Sequence, residues 1–274
     1  MRRFLNDLLQ LPSGLAAGSF IGLLIILGIA VNFLPGLDPQ AIGNDVMEPP
    51  SAEFLLGTDE LGRSVLAGVL HGIKISVSVG FFAAIIAMVV GIAVGAAAGF
   101  YGGWLDTAVM RISEFFQVIP SFVLAAVIVA LAGPGLTQII IVVGLLAWPQ
   151  VARVMRGEVV RVKQLEFVDA VRCLGISEHR VLLGEVVPNA VVPVLAIGTL
   201  IVGQAILLEA SLSFLGLGSV ELVTWGRMLN SGQRFLFNAW WLSVFPGAAI
   251  FFTVLAFNVF GDALSAIINP RGSR

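Results

Sequence analysis

The chain has 274 residues, of which 58% are hydrophobic and 12% charged, with mean hydropathy +1.00 and net charge −2. A soluble domain carries about a quarter charged residues, so a water-exposed globule is excluded and lipid is the expected solvent for much of the surface. One cysteine, Cys173, rules out an intrachain disulfide, and two histidines far apart in sequence, His71 and His179, argue against a metal cluster built by this chain alone.

Crossing the hydrocarbon of a bilayer takes about 20 mostly apolar residues. Six stretches qualify: Leu15–Leu34, Ile75–Phe100, Ala108–Leu131, Leu136–Val154, Ala190–Leu215 and Trp240–Ile268. The first follows Met1-Arg2-Arg3, but it is too long for the apolar region of a signal peptide and no small-x-small cleavage site follows, so it is expected to be retained. In the second, Gly80, Ala84, Ala87, Gly91, Gly95 and Gly99 place nearly one small residue per turn, a pattern for close helix packing, with a glycine-lined ligand path as the alternative. Ala132-Gly133-Pro134-Gly135 divides the third stretch from the fourth. The expected fold is all-α and polytopic, with about six transmembrane helices.

Six spans place both termini on one side, and the basic residues say which. With the N-terminus inside, Arg2, Arg3, Arg111, Arg153, Arg156, Arg161, Lys163, Arg172, Arg180, Arg271 and Arg274 lie inside, against Arg63, Lys74, Arg227 and Arg234 outside. The positive-inside rule therefore puts both termini in the cytoplasm. The chain then divides into a tail and first span (1–35), an outside segment (36–72), a five-helix body (73–268) containing an inside loop (156–188), and a short tail (269–274). A second outside loop, Gly216–Asn238, precedes the last span, where Trp225, Trp240 and Trp241 suit an interfacial aromatic belt.

The inside loop carries the most information. Phe167, Ala170, Val171 and Leu174 recur at helical spacing, Gly175 permits a break, and Ser177-Glu178 can start a second short helix. Pro188 is expected just ahead of the fifth span, where a missing N–H costs least. The product is a helix–turn–helix, either an amphipathic linker on the membrane surface or a docking knob for a cytoplasmic partner.

The segment Asp169-Ala170-Val171, then Gly175, then Val186-Val187-Pro188 resembles the cytoplasmic signature loop of bacterial ABC importer permeases. It departs by Asp for Glu, Val for the second Ala and Val-Val for Ile-Leu, changes conservative in size or charge. Leu56-Gly57-Thr58-Asp59-Glu60-Leu61-Gly62-Arg63-Ser64 resembles the Gly-Thr-Asp-x-x-Gly-Arg-Asp segment of the C-type subunit of dipeptide, oligopeptide and nickel permeases. Glu209–Gly218, Trp225-Gly226 with Met228-Leu229, Phe245-Pro246-Gly247 and Asn258–Asp262 look like the same subunit.

The resemblance implies a permease subunit of an ATP-driven importer of di- or oligopeptides in the bacterial inner membrane. Its partners would be a second, related permease, two cytoplasmic ATPase subunits and an extracytoplasmic substrate-binding protein, with no nucleic acid. ATP and Mg would sit in the ATPases, and this chain would bind no cofactor and catalyse nothing itself. Glu166, Asp169, Ala170, Val171, Gly175 and Pro188 would couple the ATPases to the spans. Gly57, Thr58, Asp59, Gly62 and Arg63 would shape the periplasmic entrance, although turn chemistry and an Arg63–Asp59 pair account for the same residues.

Glu209 lies deep in the fifth span, where a carboxylate is expensive, and is expected to pair across a dimer or to line the passage, as do Gln204 and Gln117 for a polar path. Glu114 has Arg111 three residues before it and needs only that local pair. The chain has no Gly-x-x-x-x-Gly-Lys-Ser/Thr loop for nucleotide phosphates and no convergent Ser/His/Asp or paired-carboxylate set. A nickel or small-solute importer of the same subfamily, an ion-coupled secondary transporter and an intramembrane enzyme are the rivals. The last two fit less well, because paired repeats, intramembrane charges and a catalytic set are wanting.

Overall fold

The structure, a computed structural model, describes residues 11–34, 36–219 and 221–268. Arg2, Arg3, Arg271, Arg274 and the 269–274 tail lie outside the described residues. Helix α1 (Pro12–Ala30) starts on a proline and ends in a 3-10 turn, Val31–Phe33. Helix α2 (Val65–Tyr101) is 37 residues long, about 55 Å at 1.5 Å per residue, well beyond the roughly 30 Å hydrocarbon. It begins ten residues before the predicted span, because Ser64 caps it: the Ser64 Oγ accepts the Ala67 N–H at 3.3 Å.

The predicted third span is two helices. Helix α3 (Gly103–Val118) and helix α4 (Ser121–Ala132) meet at 87°. Pro120 lacks an N–H and forces the residue before it out of the helical region, and Ile119 accordingly has φ −80° and ψ 129°. Neither piece alone spans 30 Å, being about 24 and 18 Å long. Helix α5 (Leu136–Val162) follows the expected Gly133–Gly135 break and outruns its predicted end by two turns.

Next come a short helix α6 (Glu166–Cys173), a turn, and helix α7 (Glu178–Val181), which passes through a π turn (Leu182–Val186) into helix α8 (Val187–Phe214). Pro188 falls in the first turn of α8, as expected, but the chain does not break there, since Glu178–Phe214 is one continuous helical run. The π turn is the reason. Val187 N–H reaches back five residues to the Leu182 carbonyl, and the widened turn contains Gly184, the residue whose carbonyl a proline at 188 would crowd. Helix α9 (Trp225–Gly232), a 3-10 turn (Gln233–Phe235) and helix α10 (Trp241–Ile268) complete the chain.

Small residues set the packing. A Cβ on Gly91 or Gly95 of α2 would lie under 3 Å from Val151 or Ala152 of α5, so these two helices touch backbone to backbone. Contacts rise together along both chains, Gly91 to Val151 and Gly99 to Val159, so α2 and α5 run parallel. The intervening α3 and α4 must therefore return across the bundle, which makes the bent pair one crossing in two pieces. Helix α8 lies antiparallel to α2, Gly80 meeting Ile206 and Gly198 meeting Met88, and α10 lies antiparallel to α8. Helix α1 packs on α10 through Gly18 and Phe260.

One end of the bundle carries segment 36–64, the start of α2 and α9, and is called the loop end. The other carries the ends of α2 and α5 with α6 and α7, and is called the hairpin end. There Lys163 donates from Nζ to the Gly99 carbonyl at 2.7 Å, and Arg156 pairs with Asp106 through both guanidinium nitrogens Nε and Nη2.

Candidate transport and coupling sites

A cleft of about 680 Å³ runs between α3, α4, α5 and α8. Most of its wall is aliphatic, and its polar groups are Gln117, Ser121, Gln150, Arg153, Gln204 and Ser211. Arg153 donates from Nη2 to Gln117 Oε1, tying α5 to α3 across it. Gln117 and Gln204, predicted for a polar path, thus face one cavity.

Glu209 does not join them. It is fully buried inside the chain, where Ser213 Oγ donates to Oε1 at 2.7 Å and Oε2 has no hydrogen-bond partner among the described residues. Ser76 on α2 and Thr224 ahead of α9 are its other polar neighbours. Its expected exposure to a passage is corrected: α9 packs directly over this turn of α8, with Gly226 against Ala210 and Asn230 Nδ2 donating to the Phe214 carbonyl at 2.6 Å. Trp225 seals the same region. It is fully buried, its indole N–H donates to the Val69 carbonyl at 2.9 Å, and its backbone N–H to Ser76 Oγ at 3.4 Å.

Trp225 and Trp241 therefore do not form an interfacial belt. Trp241 is 5% exposed and donates its indole N–H to the Thr58 carbonyl at 3.1 Å, so each ring is a core peg with its one polar atom satisfied on backbone. Only Trp240 of the three is at the surface, 49% exposed.

The Leu56–Ser64 segment is built around Thr58. Its side chain is wholly buried, donates to the Asp45 carbonyl at 2.6 Å and accepts the Glu48 N–H at 2.9 Å. Asp59 Oδ1 accepts the N–H groups of Leu61 and Arg63, both at 2.8 Å, and the turn is closed by an antiparallel bridge between Thr58 and Ser64. Gly57 lies against Trp241 and Gly62 against Gly43, each with no room for a side chain. The expected Arg63–Asp59 ion pair does not form; Asp59 Oδ1 serves two backbone amides of its own turn instead. Arg111 and Glu114 do pair, at 3.1 Å, both well exposed.

At the hairpin end, Val168 is fully buried and Val171 partly buried against the core, while Val181, Leu182 and Val186 anchor the second arm. Phe167 and Leu174 are 39% and 78% exposed, and Glu166, Asp169, Ala170 and Gly175 are exposed too. The predicted apolar face is thus split. Val168 and Val171, three apart, hold the helix down, whereas Phe167, Ala170 and Leu174 point away from the bundle. Arg172 braces the turn, pairing with Asp169 and Glu178 at 3.2 Å and lying over the Phe100 ring at 5.7 Å. Its hydrogen bonds to Glu178, and then to Asp169, hold the guanidinium above the ordinary arginine value.

Residues 89–274 match the family model of the binding-protein-dependent transport system inner membrane component. The chain belongs to this family. The permease is 34% identical over 273 residues to a glutathione transport system permease protein of Pectobacterium atrosepticum, covering 98% of this chain and 91% of that protein. It is 35% identical over 226 residues to the dipeptide transport system permease protein of Alkalihalophilus pseudofirmus, covering 82% and 74%. A glutathione transport system permease protein of Escherichia coli is 36% identical over 260 residues, covering 94% and 86%. The permease is accordingly a multi-pass membrane component of a solute transport system.

Two features of the permease escaped the sequence reading. Gln150 and Arg153 line the cleft, yet Arg153 counted there only as an inside charge; the run Pro149-Gln150 followed by Arg153 within an apolar stretch is the signal that finds them. Val168, not Phe167, proved to be the residue on which α6 rests.

Proposed function

We propose that the permease is one half of the membrane passage of an ATP-driven importer for di- or oligopeptides. Both termini and the hairpin end would face the cytoplasm, and the loop end the outside, a reading supported by the distribution of basic residues. A second, related permease would close the cleft. Two ATPase subunits holding ATP and Mg would dock on the hairpin, and an extracytoplasmic binding protein would deliver cargo. The named cargoes of the relatives, glutathione and dipeptide, support a peptide substrate.

The observation that carries the coupling role is the outward face of α6. Phe167, Ala170 and Leu174 are exposed on a helix clamped from below by Val168 and braced by Arg172, a rigid apolar knob left uncovered by the described residues. Closure of an ATPase dimer on such a knob would move α7 and, through the continuous π turn, α8, which lines the cleft. That chain of contacts gives nucleotide a differential grip on two states of the passage.

The test is transport by the assembled subunits in proteoliposomes, with binding protein and a labelled dipeptide outside and ATP inside. Uptake should need ATP, the binding protein and both ATPases. Uptake that persists without any ATPase would overturn the importer reading.

A further inference from the structure

At the loop end, a cavity of about 190 Å³ lies between the 59–65 turn and α9, apart from the passage cleft, with which it shares no residue. Its charged groups are Asp59, Glu60, Arg63 and Arg227, with the hydroxyls of Ser64 and Ser231 beside them. The two arginines come from positions 164 residues apart and are brought together only by the fold.

Neither arginine has a counter-ion. Among the described residues no carboxylate lies within ion-pair distance of Arg63 or Arg227. Arg63 Nε is shut off from solvent and has no hydrogen-bond partner among the described residues. Arg227 spends Nη1 on the Leu222 carbonyl at 3.2 Å. Burial, and then the positive charge of Arg63, pull the Arg227 guanidinium below its ordinary value, though arginine stays cationic at any physiological pH. Asp59 and Glu60 also line the cavity, but among the described residues neither lies within ion-pair distance of a basic group, and Asp59 turns Oδ1 to two backbone amides.

Two neighbouring, half-buried cations with no anion in ion-pair contact are electrostatically unfavourable, and an anion placed between them would relieve both. A guanidinium fork matches a carboxylate in two parallel hydrogen bonds. The volume, equivalent to roughly six waters at about 30 Å³ each, holds a carboxylate and its flanking atoms but no whole peptide. We propose that Arg63 and Arg227 form a carboxylate-binding site at the loop end of the permease. Two sources present that chemistry there: the terminal carboxylate of a peptide substrate, and an acidic side chain of the binding protein. The inference rests on the importer reading above.

The site is tested in the reconstituted transporter with wild type, R63Q, R227Q and R227K, assembly being read by co-purification. Two quantities are compared: KM for uptake of dialanine and of its C-terminal amide, and Kd of the peptide-loaded binding protein at low and high salt. Losing one charge-assisted hydrogen-bonded pair should weaken one of them about tenfold in the Gln variants, and less in R227K. A KM penalty confined to the free acid assigns the carboxylate to the substrate. A Kd penalty of equal size for both peptides, with a flatter salt dependence, assigns it to the binding protein.

Unchanged KM and Kd in both Gln variants would overturn the site. Should those variants not assemble, wild type answers: sodium acetate should raise KM or Kd above matched sodium chloride, and equal effects of the two salts would overturn it. Absence of ATP-driven uptake in wild type would instead strike the importer reading.

Discussion

Arg172 reaches across the hairpin turn to both oxygens of Glu178, Nε to Oε1 at 3.2 Å and Nη2 to Oε2 at 3.3 Å. Between them Gly175 holds φ at +75°, a conformation that costs an L-residue roughly 1–2 kcal/mol. Replacing Gly175 by Leu should therefore displace α6 relative to α7 and uncouple ATP hydrolysis from uptake, with membrane insertion intact. Normal uptake together with normal stimulated ATPase activity in G175L would show that the hairpin does not transmit the signal.

The split face of α6 separates docking from folding. Leu174→Asp places a charge on a 78% exposed position and should abolish co-purification of the ATPases with little change in thermal stability. Val168→Asp buries an unpaired charge at a fully buried position and should instead destabilise the hairpin by several kcal/mol. Retained ATPase binding in L174D would favour a helix that lies on the membrane surface.

Glu209 is read as a tie among α8, α2 and α9. Gln at that position keeps the acceptor for the Ser213 hydroxyl and adds donors towards Ser76 and Thr224, so E209Q should transport at near wild-type rates. E209A removes the acceptor and leaves a cavity, costing about 2–4 kcal/mol, measurable as a lower midpoint of thermal unfolding in detergent. Transport lost in E209Q at unchanged stability would mean that the carboxylate itself acts in translocation.

Gly95 of α2 faces the backbone of Ala152 with no space for a side chain. Gly95→Val should force α2 and α5 apart, and overpacking of this kind typically costs about 1–3 kcal/mol or more. The expected result is a lower unfolding midpoint and loss of assembled complex. Gly157, which has open space around its Cβ position, is the control: G157A should assemble normally.

The cleft offers a complementary measurement. Arg153→Leu breaks the bridge from α5 to Gln117 and makes the wall more apolar. Uptake should fall several-fold while ATPase subunits still co-purify, since Arg153 belongs to the cleft wall on α5 and not to the exposed face of α6. Unaltered uptake would place the passage elsewhere.

Much of the architecture was legible because a bilayer imposes one simple requirement. A segment without water must satisfy its backbone internally, so apolar runs of sufficient length mark helices, and the Gly91, Gly95 and Gly99 spacing marks where two of them touch. Breaks written in local chemistry were legible too, as at Gly133–Gly135. Pro120 was also visible, but hydropathy averaged over a window hid the 87° bend it makes. Pro188 marked the first turn of α8, but a π turn five residues long just ahead of it keeps the helical run unbroken, which no local signal announced.

What the sequence by itself determined is the class of molecule: an all-α, multi-pass chain, its breaks, and the motifs that mark it as a transport permease. Which residues meet was decided by tertiary structure alone. Glu209 and Gln204 are five positions apart on one helix, about 140° around it, so they face different sides; that α9 covers the side of Glu209 while a cleft opens beside Gln204 is settled only by tertiary contacts. Arg63 and Arg227 share a cavity for the same kind of reason. Side-chain surroundings depend on contacts between distant segments, and periodicity within a segment carries no record of which neighbour will cover it.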